Sequence, residues 1–180
     1  MLGFVNRSSR NLISIKAIKS VYFSLVRSRL EYAAVVWSPI FDVHINKIDK
    51  VQHKFLKFLV WKIDRIYPKP GSDKEELCRR FKMLSLKDRR LCASAIFLTR
   101  LIQGKVDCPR LLESITFRTP TWRSNVPFQL PLTSTNFAAS APIYRLMYAF
   151  NLFYKIDNSL DIYTINNVGS LAKLCSSIGH

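Results

Sequence analysis

A proline-rich interruption frames this chain. Tyr67-Pro68-Lys69-Pro70-Gly71-Ser72-Asp73 holds two prolines and a glycine within one short run. Proline lacks a backbone N–H and fixes φ, so neither a helix nor a central strand continues through such a run. It divides the sequence into residues 1–66 and 67–180, taken as two domains. A smaller stop lies upstream at Ser38-Pro39, where the proline disfavours helical geometry in the residue before it. Residues 1–13 are short and mixed and read as a turn leading into a helix. Between the stops the residues are helix-permissive. One helix is predicted from Ile15, capped by Ser14, to about Val36. A second runs from Asp42, a good cap, to about Lys62.

Downstream of the break, a short helix is predicted over about 74–81. Ser85-Leu86-Lys87-Asp88 resembles a capping box and opens a longer helix that ends near Gly104. Pro109 suits the first turn of a short helix ending near Ser114. Residues 116–141 carry three prolines and many Ser and Thr, and read as an extended loop with a strand-like stretch. Ala141-Pro142 opens a helix through Tyr154, and the last 20 residues read as a short helix and a frayed tail. The expected fold is therefore mainly α: a helical bundle, then a second helical region with an irregular Pro/Ser/Thr-rich middle segment.

Charge narrows the partners. Of 180 residues, 28 are Lys or Arg and 12 are Asp or Glu, a formal net charge of +16. Such a surface repels itself until a polyanion neutralises it, which points first to nucleic acid and second to an anionic membrane surface. With 48% apolar residues the chain has the material for a packed core. Cys78, Cys92, Cys108 and Cys175 are too widely spaced for a zinc knuckle, and His44, His53 and His180 complete none. They read as reduced, buried thiols of an intracellular protein, nuclear or cytoplasmic. The N-terminus is not a signal peptide, and no stretch of about 18 uncharged apolar residues would span a membrane.

The second helix carries the clearest functional signal. Lys47, Lys50, Lys54 and Lys57 fall at i, i+3, i+7 and i+10, which at about 100° per residue confines them to one arc of roughly 80°. Ile45, Ile48, Val51, Phe55, Phe58 and Leu59 share another arc. The helix thus buries one side and offers a lysine row spread over roughly 15 Å. Such a row suits several duplex phosphates and confers no sequence preference. A solvated amphipathic face would also carry lysines, but it usually interleaves acids, and Asp42 and Asp49 lie elsewhere around the helix. In the first helix, Lys16, Lys19 and Arg27 share a polar arc with Ser20 and Ser24.

Other residues carry less. His44 and His53 share no helix face and read as surface or capping groups. Asp88-Arg89-Arg90 reads as a first-turn acid followed by exposed basic residues. Cys78 beside Arg79 and Arg80 has no His or acid motif to make it a nucleophile. Tyr144, Tyr148, Phe150, Phe153 and Tyr154 could stack on bases, yet beside Leu146, Met147 and Leu152 they read as core. No Gly-rich phosphate loop or nucleophile elbow occurs. The acids do not cluster as two-metal phosphoryl transfer requires.

Leu2-Gly3-Phe4, Leu25-Val26-Arg27-Ser28-Arg29-Leu30-Glu31-Tyr32-Ala33 and Val36-Trp37-Ser38-Pro39 together resemble the segment after the palm domain in reverse transcriptases of non-LTR retrotransposons, the jockey-like insect elements in particular. Ile48-Asp49-Lys50-Val51-Gln52-His53-Lys54-Phe55-Leu56-Lys57 is similar to the family's next block. Arg89-Arg90 and Asp107-Cys108-Pro109-Arg110-Leu111-Leu112 are similar to its tail.

The resemblance implies a polymerase thumb over residues 1–66, from about residue 12 onward, and the C-terminal region after it. The thumb grips an RNA–DNA or DNA duplex and packs beside a palm domain. The family's aromatic-any-Asp-Asp motif lies upstream of this segment, and no Asp-Asp pair occurs in the chain. The expectation is thus a fragment of an RNA-directed DNA polymerase that does not polymerise by itself. No cofactor or metal ligand is expected in this chain, Mg²⁺ belonging to the palm. The alternative is a domesticated or decayed fragment acting only as a basic interaction module, on a protein or an anionic membrane surface, or having no function.

Overall fold

The computed structural model describes residues 1–9, 14–39, 41–69, 71–119, 121, 125–162, 171 and 174. The fold is mainly α. In order, the helices are α1 (Leu2–Ser8), α2 (Ile15–Tyr22), a π-helical turn (Phe23–Arg27), α3 (Ser28–Glu31), α4 (Ala34–Trp37) and α5 (Asp42–Asp64). They continue with α6 (Lys74–Arg80), α7 (Leu86–Ile102), α8 (Pro109–Glu113), α9 (Asn136–Ala139) and α10 (Pro142–Ile156). The chain forms two compact units, one of Met1–Ala34 with Phe41–Leu86 and one of Val35–Ile40 with Lys87–His180.

The first unit is organised around α5. Phe55, Leu56 and Leu59 are fully buried and share a core with Val5 of α1, Ile18 and Tyr22 of α2, Val26 of the π-turn and Leu77 of α6. Tyr22 stacks on Phe55, ring centroids 3.8 Å apart and planes within 7°. The amide of Gln52, also buried, donates to the Leu84 carbonyl at 2.9 Å. It also lies 3.5 Å from the Cys78 sulfur. At its far end α5 is tied to α6 by Arg80, whose two terminal nitrogens grip the Asp64 carboxylate at 2.8 and 2.7 Å. That bidentate pairing holds the Asp64 carboxyl below its usual range, the hydrogen bonds contributing most. The residues after the proline-rich run therefore pack back onto α5. The first unit extends to Leu86, so the described residues of the run 67–73 lie within it.

The first helix departs from expectation. Residues 2–8, read as a turn, form α1. The single helix predicted from Ile15 to Val36 widens to a π-turn at Phe23–Arg27 and stops at Tyr32-Ala33, where Ala33 has φ +51°. Left-handed backbone at a residue with a Cβ costs roughly 1 kcal/mol and gave no sign in composition. The N-cap of α5 falls one residue before the predicted one: Phe41 is the N-cap and Asp42 lies in the first turn, where a carboxylate favours the positive end of the helix dipole.

In the second unit, α7 presents Ser94, Leu98 and Leu101 inward. Arg90, expected at the surface, is only 7% exposed, because it sits four residues from both Leu86 and Ser94 and shares their side. The strand-like stretch is an isolated antiparallel bridge of Phe117 with Phe128. It is extended by Arg118 N–H donating to the Pro127 carbonyl and Gln129 N–H to that of Thr116. Asn151 on α10 holds it: its amide oxygen accepts from Phe128 N–H at 3.1 Å and its amide nitrogen donates to the Phe128 carbonyl at 2.8 Å. Phe128 meets Phe150 edge-to-face at 5.2 Å. Arg145 donates to the carbonyls of Val35 and Val36, each at 3.0 Å. Most of the last 20 residues, with Cys175 and His180, lie outside the described residues.

Candidate nucleic-acid interface

The core side of α5 fixes where its lysines go. With Phe55, Leu56 and Leu59 inward, Lys47, Lys50 and Lys54 are exposed and Lys57 is half-buried. Among the described residues none of the four is in ion-pair distance of an acid. The helix is 23 residues long, roughly 34 Å at its standard rise, and the row occupies its middle. Trp61 falls at the next step of the same arc. Arg65, which ends the helix in the left-handed region at φ +59°, lies over the Trp61 ring at 5.9 Å. This guanidinium extends the cationic line, and nothing in the spacing pointed to it.

The acids of α5 are kept out of the row. Asp49 pairs with Lys74 of α6, and Asp64 with Arg80. Asp42 sits at the N-terminal end. α6 thus delivers two cations that neutralise α5 acids, so the ladder keeps its charge. Lys74 was missed by sequence reasoning. The available signal was Asp73, whose side chain accepts from Glu75 N–H and sets where α6 begins.

Asp49 is the more deeply buried of the Asp49–Lys74 pair. Removing one partner of a buried pair strands the other. Lys74→Met leaves a carboxylate without its cation and is expected to lower unfolding free energy by about 1–3 kcal/mol. Asp49→Asn frees a lysine that reaches water, so its cost is smaller, and it steepens the salt dependence of polyanion binding by up to about one unit of slope. Urea titration and binding at graded salt check the two; equal destabilisation by both counts against this asymmetry.

Asn46, Asp49, Lys50, His53 and Lys74 line a shallow hollow of about 230 Å³ beside the row. His53 lies 3.4 Å from the Ser72 hydroxyl. Its pKa is lowered, first by burial and then by Lys57 and Lys74, with Asp73 opposing. A folded chain whose histidine titrates below its unfolded value of 6.5 binds fewer protons than the unfolded chain near that pH. Stability is therefore expected to fall as the pH drops below about 6.5, down to the lowered folded value. His53→Gln should remove that part of the slope in urea unfolding compared at about pH 7.5 and 5.5.

The first-helix set behaves differently. Lys16 is exposed. Lys19 is turned inward: its ammonium donates to the Phe81 carbonyl and lies over the Phe81 ring at 5.6 Å. Its pKa is lowered by burial and by the neighbouring Lys82. Arg27 stacks on Phe23 with its guanidinium 3.6 Å from the ring centre, and lies 3.8 Å from Glu31. Lys19 and Arg27 are thus occupied within the unit, and the basic row expected of the first helix reduces to Lys16. The reason is local: the π-turn rotates Arg27 toward Phe23 and Glu31, and Phe81 closes over Lys19.

His44 is exposed with its ring against Phe41, and Cys78 is buried. Among the described residues no three His, Cys, Asp or Glu side chains gather as metal ligands, and no helix is long and apolar enough to cross a membrane. No family model, curated protein or solved structure matches the chain.

Proposed function

We propose that the first unit binds the phosphate backbone of a nucleic-acid duplex through the α5 row, Lys47, Lys50, Lys54 and Lys57, with Lys16 as an outlying contact. The observation that carries this reading is a lysine row on one helix side with no acid in ion-pair distance among the described residues, on a helix whose Asp49 and Asp64 are each matched by a cation from α6. Nucleic acid presents phosphates at a fixed repeat, and a rigid helix presents ammonium groups at one, so several contacts form for one loss of freedom. The sequence resemblance adds a context: a thumb-like grip on a template–primer duplex in a non-LTR reverse transcriptase, contributing position and no chemistry. In that setting Mg²⁺ and the reacting carboxylates belong to a palm domain, the row's protein partner.

The rival is a basic module for an anionic membrane surface. A membrane-surface helix needs an apolar side to bury in the lipid, and the apolar side of α5 is already used by the core. Competition tests this reading. A primed RNA–DNA duplex and a DNA duplex should displace the chain from vesicles containing anionic lipid at equal charge. Vesicles displacing it from duplex would contradict the proposal. Primer extension with Mg²⁺ should give no incorporation.

A further inference from the structure

The second unit holds a hollow of about 240 Å³ between the Phe117–Phe128 pairing and α10. We propose that it binds a planar heteroaromatic ring carrying a phosphate, the chemistry of a mononucleotide, and that it does so without regard to which base the ring is. The site is separate from the α5 row.

Its walls divide by chemistry. Val126, Phe128 and Leu152 supply an apolar floor, Tyr148 an aromatic side, and Arg118 and Lys155 two cations; none of the described residues lining it is acidic. Phe128 is fully buried, whereas Tyr148 is 47% exposed. Tyr148 is the one aromatic of its helix that opens to solvent: Phe150 and Phe153 are buried, and Tyr144 and Tyr154 are half-buried. Its ring lies nearly parallel to that of Tyr144, 12° apart with centroids at 6.4 Å. A ring whose orientation is fixed by a neighbour loses little freedom when a second ring stacks on it. Stacking on such a platform tolerates any base, because every base has a π-face.

The polar group nearest the floor offers no base readout. Both the oxygen and the nitrogen of the Asn151 amide are committed to the Phe128 backbone. The site offers the ring stacking and apolar contact, and sets the positive charges of Lys155 and Arg118 beside one anionic group. The volume lies below the roughly 300–1,000 Å³ of clefts that enclose drug-sized ligands. It therefore seats one ring and leaves the rest of a strand outside. The same chemistry is presented by a free mononucleotide and by an unpaired nucleotide at the end of a strand.

The experiment titrates the full chain with UMP, AMP, uridine, inorganic phosphate and a five-nucleotide single strand, followed by calorimetry. UMP and AMP should bind within about threefold of each other, and uridine and phosphate at least tenfold more weakly. Tyr148→Ala should cost at least fivefold and Arg118→Gln with Lys155→Gln at least tenfold. Replacing the four α5 lysines with Gln should leave UMP affinity unchanged, so this site and the duplex reading fail separately. Tighter binding of the strand than of UMP, still dependent on Tyr148, identifies a strand end as the source; the reverse order identifies a free nucleotide. Photocrosslinking of 5-iodouridine monophosphate to the unsubstituted chain gives a readout independent of variant folding, with the adduct expected on the tryptic peptide from Leu146 to Lys155. Phosphate binding as tightly as UMP, variants binding like the parent chain, or adducts confined to other peptides would overturn the proposal.

Discussion

Replacing Lys47, Lys50, Lys54 and Lys57 together with Gln is expected to abolish most duplex affinity at low salt while leaving the fold intact. Each lysine that neutralises a phosphate releases condensed counterion, and log K falls with log[salt] by about 0.9 per contact on B-DNA. Four contacts amount to a slope of about 3.6, so the parent chain should lose roughly 100-fold in affinity between 50 and 200 mM salt. The substituted chain should show a slope flatter by roughly 3 to 4. The effect should be equal across duplex sequences, because phosphate contacts carry no base information. Lys47, Lys50 and Lys54 are exposed and Lys57 is half-buried, so their replacement removes charge with little loss of packing, and urea unfolding should change by less than about 1 kcal/mol. A parallel slope for parent and variant would remove the site assignment.

Phe55→Ala should have the largest effect on stability. Phe55 is fully buried at the centre of the first unit and lies face to face with Tyr22. Truncating a buried Phe to Ala costs about 3–5 kcal/mol in lost transfer and cavity formation, and the aromatic pair adds about 0.5–1.5 kcal/mol. Against a typical stability of about 5–15 kcal/mol, that approaches the whole margin. A melting point lower by on the order of 15–25 °C is expected. Phe55→Leu keeps most of the volume and should cost far less. Because Phe55 holds α5, and α5 carries the row, duplex binding by Phe55→Ala should decline with the folded fraction, with no change in the salt slope of the folded molecules. Calorimetry and binding over a temperature series check both parts.

The contrast between α5 and α2 shows how much was legible. α5 was read nearly to its ends and with its lysine side correctly turned outward, because a 3.6-residue periodicity records which side is buried. The mainly helical class, the long helix after Ser85 and the Pro142 start followed from the same kind of local signal. What was missed depends on residues distant in sequence. The inward turn of Lys19 is set by the Phe81 carbonyl, 62 positions away. Lys74 meets Asp49 across 25 positions. The return of α6 onto α5 has the same origin. The stop at Tyr32-Ala33 has no glycine to announce it, since Ala33 carries the positive φ itself. The five aromatics of α10 were read together as core, and periodicity alone did not separate exposed Tyr148 from buried Phe150 and Phe153.

Lysine reactivity mapped by mass spectrometry, with and without an RNA–DNA duplex, tests most directly whether the α5 row is where a polyanion sits. On acylation of the free chain, Lys47, Lys50 and Lys54 should label readily and Lys19 poorly. With duplex bound, labelling of Lys47, Lys50, Lys54 and Lys57 should fall together, while that of Lys155 in the second unit stays unchanged. Duplex binding that leaves those four lysines as reactive as before would place the contact elsewhere and contradict the account.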